Sequence, residues 1–327
     1  MLTDRFGRIH DYLRVSVTDR CNLRCVYCMP PVGLEWKPRE QILRLAEIAR
    51  VIGIMAGLGV RKVRLNGGEP TVRSDIERLI QDIAAIPGVQ TVAMTTNGIL
   101  FAARAARLKS AGLTSVNISL DSLNSHTFAQ ITRRNEFENV LRSIDRALEA
   151  GFAPLKINTV IMPGVNDHEL LDFVHFIKDK PVNVRFIEYM PFKGNHWDDR
   201  GYVPASQMKA LIDEHYDLLP LIGNYTENRI ATDYAIPGFL GTVSFIASLS
   251  ESFCDRCSRL RLTADGALKA CLFFPAQVQL RDALRSGADD SSLIRLIEDT
   301  VQAKPKGHPS VEELEAVNDL SMIQIGG

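Results

Sequence analysis

The stretch LRVSVTDRCNLRCVYC, residues 13–28, joins a strand-like run to three closely spaced cysteines, and the turn between them decides the fold. Leu13, Val15 and Val17 alternate with Arg14 and Ser16, the period-two pattern of a half-buried strand. A dinucleotide-binding sheet would place a glycine-rich phosphate loop directly after its first strand, and residues 18–25 contain no glycine. Cys21, Cys25 and Cys28 stand there instead.

Downstream of this stretch, strand-like and helix-like segments alternate as far as about residue 190. The strand candidates are LRVSV, VRKVRLN, TVAMTTN, SVNISLD, LKINTVIM and VNVRFIEYM. Helical spacing marks REQILRLAEIARVIGIMAG, SDIERLIQDIAAI and FENVLRSIDRALEAG, with Ser74 placed to cap the second and Gly151 to follow the third. Strands joined by helical crossovers run parallel, so six βα units predict an α/β fold. The expected form is a partial (β/α)6 TIM-like barrel. Its carboxyl-end turns, RCNLRC, NGGEP, TTNG, SLDS, MPGVND and EYMP, would form the active site. The barrel domain is expected over residues 1–215, with a C-terminal extension over 216–327 carrying a second cysteine site.

Composition narrows the function. The 327 residues are 46% hydrophobic and 24% charged with a net charge of -1, an ordinary globular balance that argues against a general nucleic-acid or membrane-surface binder. The longest apolar run, VIGIMAGLGV, is too short and too glycine-rich to span a bilayer. No apolar leader opens the chain, so a cytoplasmic location is expected, where thiols serve metals or catalysis.

Thiolates suit zinc and iron-sulfur clusters. Spacings of four and three let one loop place Cys21, Cys25 and Cys28 around a single centre, one ligand short of a closed site. Cys254, Cys257 and Cys271 make a second set of three. Between the last two, RLRLT and ALKAC flank an Asp265-Gly266 turn, which predicts a β-hairpin. Pairing about Ala264 would bring Cys257 and Cys271 back together and set Lys269 opposite Arg259. Arg259 and Arg261 would then share a cationic face, suited to a nucleoside triphosphate, opposite Leu260 and Leu262. Blander readings stay open: zinc completed by a distant histidine, inert buried thiols, a solvated arginine face, a mere tight turn at Gly67-Gly68, and a frayed Gly326-Gly327 end.

CNLRCVYC followed by GGEP resembles the radical S-adenosylmethionine superfamily. LRVSVTDRCNLRCVYCMP, VRLNGGEP, TTNG, NISLDS, RFIEYMP, CDRCSRLRLTADGALKACLF and the final IGG narrow the resemblance to its GTP-cyclising branch in molybdenum cofactor biosynthesis. That resemblance spans nearly the whole chain. It implies two 4Fe-4S clusters, the first on Cys21, Cys25 and Cys28 and an auxiliary one on Cys254, Cys257 and Cys271. Tyr27, Gly68, Ser119 and Met190 match positions for S-adenosylmethionine. Arg14, Arg64, Thr95, Lys156, Arg259, Leu260 and Arg261 match positions for GTP, and Gly326-Gly327 resembles a tail needed for activity. Asn66 and Ser258 stand where the family more often has Thr and Asn.

The implied reaction is reductive cleavage of S-adenosylmethionine, hydrogen removal from C3' of GTP, and closure of C3' onto C8. Cyclic pyranopterin monophosphate synthase is the implied downstream enzyme, and a monomer or homodimer is expected, with neither a nucleic-acid nor a membrane partner. The alternative is another radical enzyme with an auxiliary cluster acting on a different substrate, such as a peptide.

Overall fold

The computed structural model of the protein describes residues 1–30, 32–195, 197, 201–221, 230–310, 313–314 and 321–326. Six strands appear where alternation predicts them: β1 (Tyr12–Ser16), β2 (Lys62–Asn66), β3 (Thr91–Thr96), β4 (Ser115–Ser119), β5 (Leu155–Ile161) and β6 (Val182–Glu188). Between them lie α1 (Leu45–Gly57), α2 (Ile76–Ala84), α3 (Ala105–Ser110), α4 (Ser125–Thr132), α5 (Phe137–Glu149) and α6 (Leu170–Phe176). All five neighbouring pairs from β1 to β6 are parallel, as helical crossovers require.

Beyond them come α7 (Ala205–Asp213), β7 (Leu219–Pro220), β8 (Thr232–Ala235), β9 (Thr242–Ile246), β10 (Arg259–Leu262), β11 (Ala267–Lys269) and β12 (Val278–Gln279). Helices α8 (Leu280–Arg285), α9 (Asp290–Gln302) and α10 (Met322–Ile325) follow. The later strands do not form a separate sheet. β9 joins β6 in parallel and β10 joins β1 in parallel, so the C-terminal region extends both edges. Antiparallel partners continue each edge, giving the 12-stranded order β12-β11-β10-β1-β2-β3-β4-β5-β6-β9-β8-β7. Residues from β1 through β6 all line one cavity, which a flat sheet could not arrange.

Side-chain alternation assigns the faces. Leu13, Val15, Val63, Leu65, Val116 and Ile118 are fully buried in the main core, beneath the helices. Their neighbours Arg14, Arg64, Asn117, Asn158 and Arg185 face the cavity. The apolar residues of α2, Ile76, Leu79, Ile80 and Ile83, recur at helical spacing and are buried. Each such side chain contributes about 1.5–3 kcal/mol by leaving water.

Two local expectations need correction. Ser74 does not cap α2; Asp75 takes the N-cap position, and its carboxylate accepts from Arg73 Nε at 2.9 Å rather than from the helix. The hairpin also turns one residue later than symmetry about Ala264 suggests. Lys269 pairs with Arg261, not Arg259, because Thr263 N bonds Ala267 O across a three-residue loop closed by Gly266 at φ 88°. The shift strengthens the cationic row. Lys269 continues a register that runs through Arg261, Arg14 and Arg64.

Candidate active site

The loop after β1 is held from two sides. Gly68 N donates to Thr18 O at 2.7 Å and Glu69 N to Arg20 O at 2.8 Å, so the NGGEP turn lies flat against the approach to Cys21. A Cβ on Gly68 would sit 2.1 Å from Arg20 O, and one on Gly67 2.5 Å from Thr18 O. The glycines therefore do more than turn the chain: no side chain fits there. On the other side, Arg24 N and Val26 N bond Thr132 O and Ile131 O at the end of α4, at 3.0 and 2.9 Å.

Buried carboxylates tie the neighbouring turns to this loop. Glu69, 1% exposed, accepts from Thr71 N at 3.0 Å, Thr96 Oγ at 2.7 Å and Asn97 N at 2.6 Å. Asp121 accepts from Tyr27 Oη at 2.7 Å and from Val160 N at 2.9 Å, and burial raises its pKa to about 6. Burial, with the Glu69 charge, also pushes the Cys21 thiol up to about 11. Burial likewise raises Cys25 and Cys28.

The second set has the opposite surroundings. Burial pushes Cys257 up, yet Arg259 and Lys304 outweigh it and bring the thiol down to about 6. All six cysteines are free and partly buried, and all six line a single cavity of about 610 Å³. Among the described residues no group of three or more His, Cys, Asp and Glu side chains is gathered as a cage for one metal ion. A four-iron cube asks less, since each of three thiolates holds a different corner and the fourth iron stays open.

Arg14, Arg64, Thr95, Lys156, Arg259, Arg261, Tyr27, Ser119 and Met190 all line this cavity, as does Gly68. Lys156, although only the second residue of β5, is among them. Leu260 differs: it is fully buried in the core beside Leu262 and is not among the residues that line the cavity, because the strand turns its side chain to the opposite face from Arg259 and Arg261. Gly326 turns left-handed at φ 81° and offers its carbonyl to Arg261 Nη1 at 2.9 Å, while a Cβ there would meet Ser16 at 2.7 Å. Gly327 lies outside the described residues. Asn66 borders the cavity with both carboxamide atoms buried and lacking a hydrogen-bond partner.

Sequence reasoning missed several residues of this wall. Lys62 and Arg185 line the cavity beside Arg14 and Arg64, and each shares the inward parity of its strand. Counting back by two from Arg64 would have found Lys62. Tyr12 accepts from Arg64 Nε at 2.6 Å; burial raises its phenol, but Arg64, Arg14 and Lys62 bring it down to about 7. Burial lowers Arg14 to about 10, still charged at neutral pH. Seven cations, Arg14, Lys62, Arg64, Lys156, Arg185, Arg259 and Arg261, thus share one wall system. Such crowding of like charge is offset when a polyanion enters.

Comparison with known proteins identifies the family. Residues 15–177 match the Radical SAM superfamily profile and residues 182–310 the Molybdenum Cofactor Synthesis C profile. The chain is 47% identical to "GTP 3',8-cyclase, mitochondrial" of Arabidopsis thaliana, over all of this chain and 84% of that protein. It is 44% identical to GTP 3',8-cyclase of Petrotoga mobilis, with the full length of both covered. It spans about half the length of the Dictyostelium discoideum relative, "Molybdenum cofactor biosynthesis protein 1", at 46% identity over all of this chain and 52% of that protein. Among solved structures, Streptococcus suis SuiB bound to S-adenosylmethionine superposes with a TM-score of 0.60 over 88% of this chain and 68% of that one, at 16% identity, a likeness of fold alone. The chain belongs to the radical S-adenosylmethionine superfamily and, within it, to the GTP 3',8-cyclase family of molybdenum cofactor biosynthesis.

Proposed function

We propose that this cavity takes S-adenosylmethionine and GTP together and that the chain carries out the 3',8-cyclisation of GTP. One observation carries the reading: both cysteine sets and all seven cations line the same cavity. Cys21, Cys25 and Cys28 would hold a 4Fe-4S cluster, with Tyr27, Gly68, Ser119 and Met190 around S-adenosylmethionine. Cys254, Cys257 and Cys271 would hold the second cluster at the base of the nucleotide. When bound, the first cluster and S-adenosylmethionine supply the reducing and hydrogen-abstracting chemistry.

The chain's own residues supply placement. Arg14, Lys62, Arg64, Lys156, Arg185, Arg259 and Arg261 would grip the triphosphate, and charge-assisted hydrogen bonds fix its oxygens in space. Arg261 would also seat the Gly326-Gly327 tail, through the carbonyl it already binds. Leu23, Met29, Phe128, Val160, Ile187 and Phe253 line the remaining wall and would keep water away while C3' and C8 are held in contact. The cyclised nucleotide would pass to cyclic pyranopterin monophosphate synthase. Six free thiols suit a reducing compartment, and we place the protein in the cytoplasm. Among the described residues no helix is long and apolar enough to cross a membrane.

The test is anaerobic. Protein reconstituted with iron and sulfide is given S-adenosylmethionine, a strong reductant and GTP, and both 5'-deoxyadenosine and the cyclised nucleotide are assayed. Both are expected. Cleavage of S-adenosylmethionine with GTP recovered intact would overturn the substrate assignment.

A further inference from the structure

Lys304 is 2% exposed, and a buried ammonium is costly unless an anion and hydrogen bonds meet it. Among the described residues no carboxylate lies within ion-pair distance of it. Its Nζ donates instead to Arg259 O at 2.7 Å and points at Cys257 Sγ at 3.5 Å. The charge that answers it is therefore that of the second cysteine set. The first set is met differently: Cys21 Sγ accepts from Leu23 N at 3.4 Å and Asn97 Nδ2 at 3.7 Å, Arg24 is a lesser influence on it, and its buried neighbours Glu69 and Asp121 are acidic.

Lys304 is not left to find this position by itself. The N-terminal loop grips its segment through Arg8, whose Nη1 donates to Lys306 O at 2.9 Å and Nη2 to Pro305 O at 2.7 Å. The same Nη1 donates to Cys254 O at 2.8 Å, so one guanidinium joins the 304–306 segment to a second cysteine of the set. Asp4 aims Arg8 by accepting from its Nε at 2.6 Å and its backbone N at 3.0 Å, and His10 Nε2 lies 3.1 Å from the same carboxylate. Three parts of the chain, residues 4–10, 254–257 and 304–306, thus meet at one side of the thiols.

We infer that Lys304 is a positioning residue of the second cysteine site, held there by the Arg8 brace, and that its N–H···S contact to Cys257 raises the reduction potential of the cluster at that site. The inference rests on the proposed function, which puts a cluster on Cys254, Cys257 and Cys271. Hydrogen bonds to the sulfurs and nearby charge are the protein's main means of setting such a potential. A cation at this distance favours the more negative, reduced cluster. It would also steady the thiolate beside the arginines expected to hold GTP, without touching the substrate.

The experiment uses full-length protein with Cys21, Cys25 and Cys28 changed to Ala, reconstituted anaerobically so that only the second set is loaded. Its midpoint potential is followed by electron paramagnetic resonance during a redox titration. Lys304→Met is expected to shift the midpoint to a more negative value, and Lys304→Arg, which keeps the charge, to restore most of it. Arg8→Met should move it the same way by less, and it serves as the readout if Lys304→Met fails to fold. An unchanged midpoint in both Met variants, or equal shifts in Lys304→Met and Lys304→Arg, would overturn the inference. Parent protein that binds no iron at this set would overturn the cluster assignment and the inference with it.

Discussion

Arg185 and Lys62 show how a side chain earns a role from its strand parity. Each faces the cavity from a strand whose alternate residues are buried in the core. A hydrogen bond to a charged group contributes about 1.5–3 kcal/mol, so Arg185→Met is expected to weaken GTP binding by about 10- to 150-fold. Calorimetric titration of reconstituted protein would measure it, and unaltered affinity would remove Arg185 from the clamp. Glu69 works differently, through the backbone donors it satisfies. Glu69→Ala would leave Thr71 N and Asn97 N buried without an acceptor, at a cost of about 1–3 kcal/mol for each. Thermal unfolding should register that loss.

His10 gives a pH dependence with a definite sign. It is fully buried against Asp4, Arg8 and Lys304, and burial, reinforced by Lys304, lowers its pKa from 6.5 to about 4. The unfolded chain therefore takes up a proton before the folded one does. Stability is full above about pH 6.5, falls as pH drops towards 4, and loses on the order of 3 kcal/mol from this group. Unfolding temperatures at pH 6.5 and 4.5 should show a smaller drop for His10→Gln than for the parent protein; equal drops would refute the assignment.

At the scale of elements, the six parallel strands were legible because each writes the same message twice, in alternation and in a polar carboxyl-end turn. The hairpin was legible too, but its register was not. Cysteine symmetry suggested Ala264 as its centre, whereas the left-handed Gly266 places the loop over three residues and pairs Arg261 with Lys269. The close approach of NGGEP to the cysteine loop was visible only as a glycine pair. Gly68→Ala is expected to abolish retention of iron by the first set, because its Cβ would collide with Arg20 O and Asp19 O at 2.1 and 2.8 Å. Iron analysis of protein lacking the second-set cysteines would check this, and normal loading would show that the loops need not touch.

At the scale of the whole molecule, two cysteine sets about 230 residues apart in sequence line one cavity because β10 adds to β1, the strand that leads into the first set. Sequence periodicity located both sets but could not order the sheet. A late strand's place depends on which edge of the β1 to β6 sheet it joins, and that is a long-range pairing that local alternation does not encode. The same topology sets Arg259 and Arg261 next to Tyr12 and Arg14, completing the cationic wall. Lys304 was illegible for a related reason: its environment comes from the N-terminal loop and the second cysteine loop, both remote in sequence.

In the proposed reaction this cavity holds C3' of GTP against the reacting end of S-adenosylmethionine. GTP carrying deuterium at C3' tests it most directly, with 5'-deoxyadenosine from an anaerobic reaction analysed by mass spectrometry. Deuterium is expected in 5'-deoxyadenosine, together with cyclised nucleotide. Unlabelled 5'-deoxyadenosine formed alongside consumed GTP would contradict it.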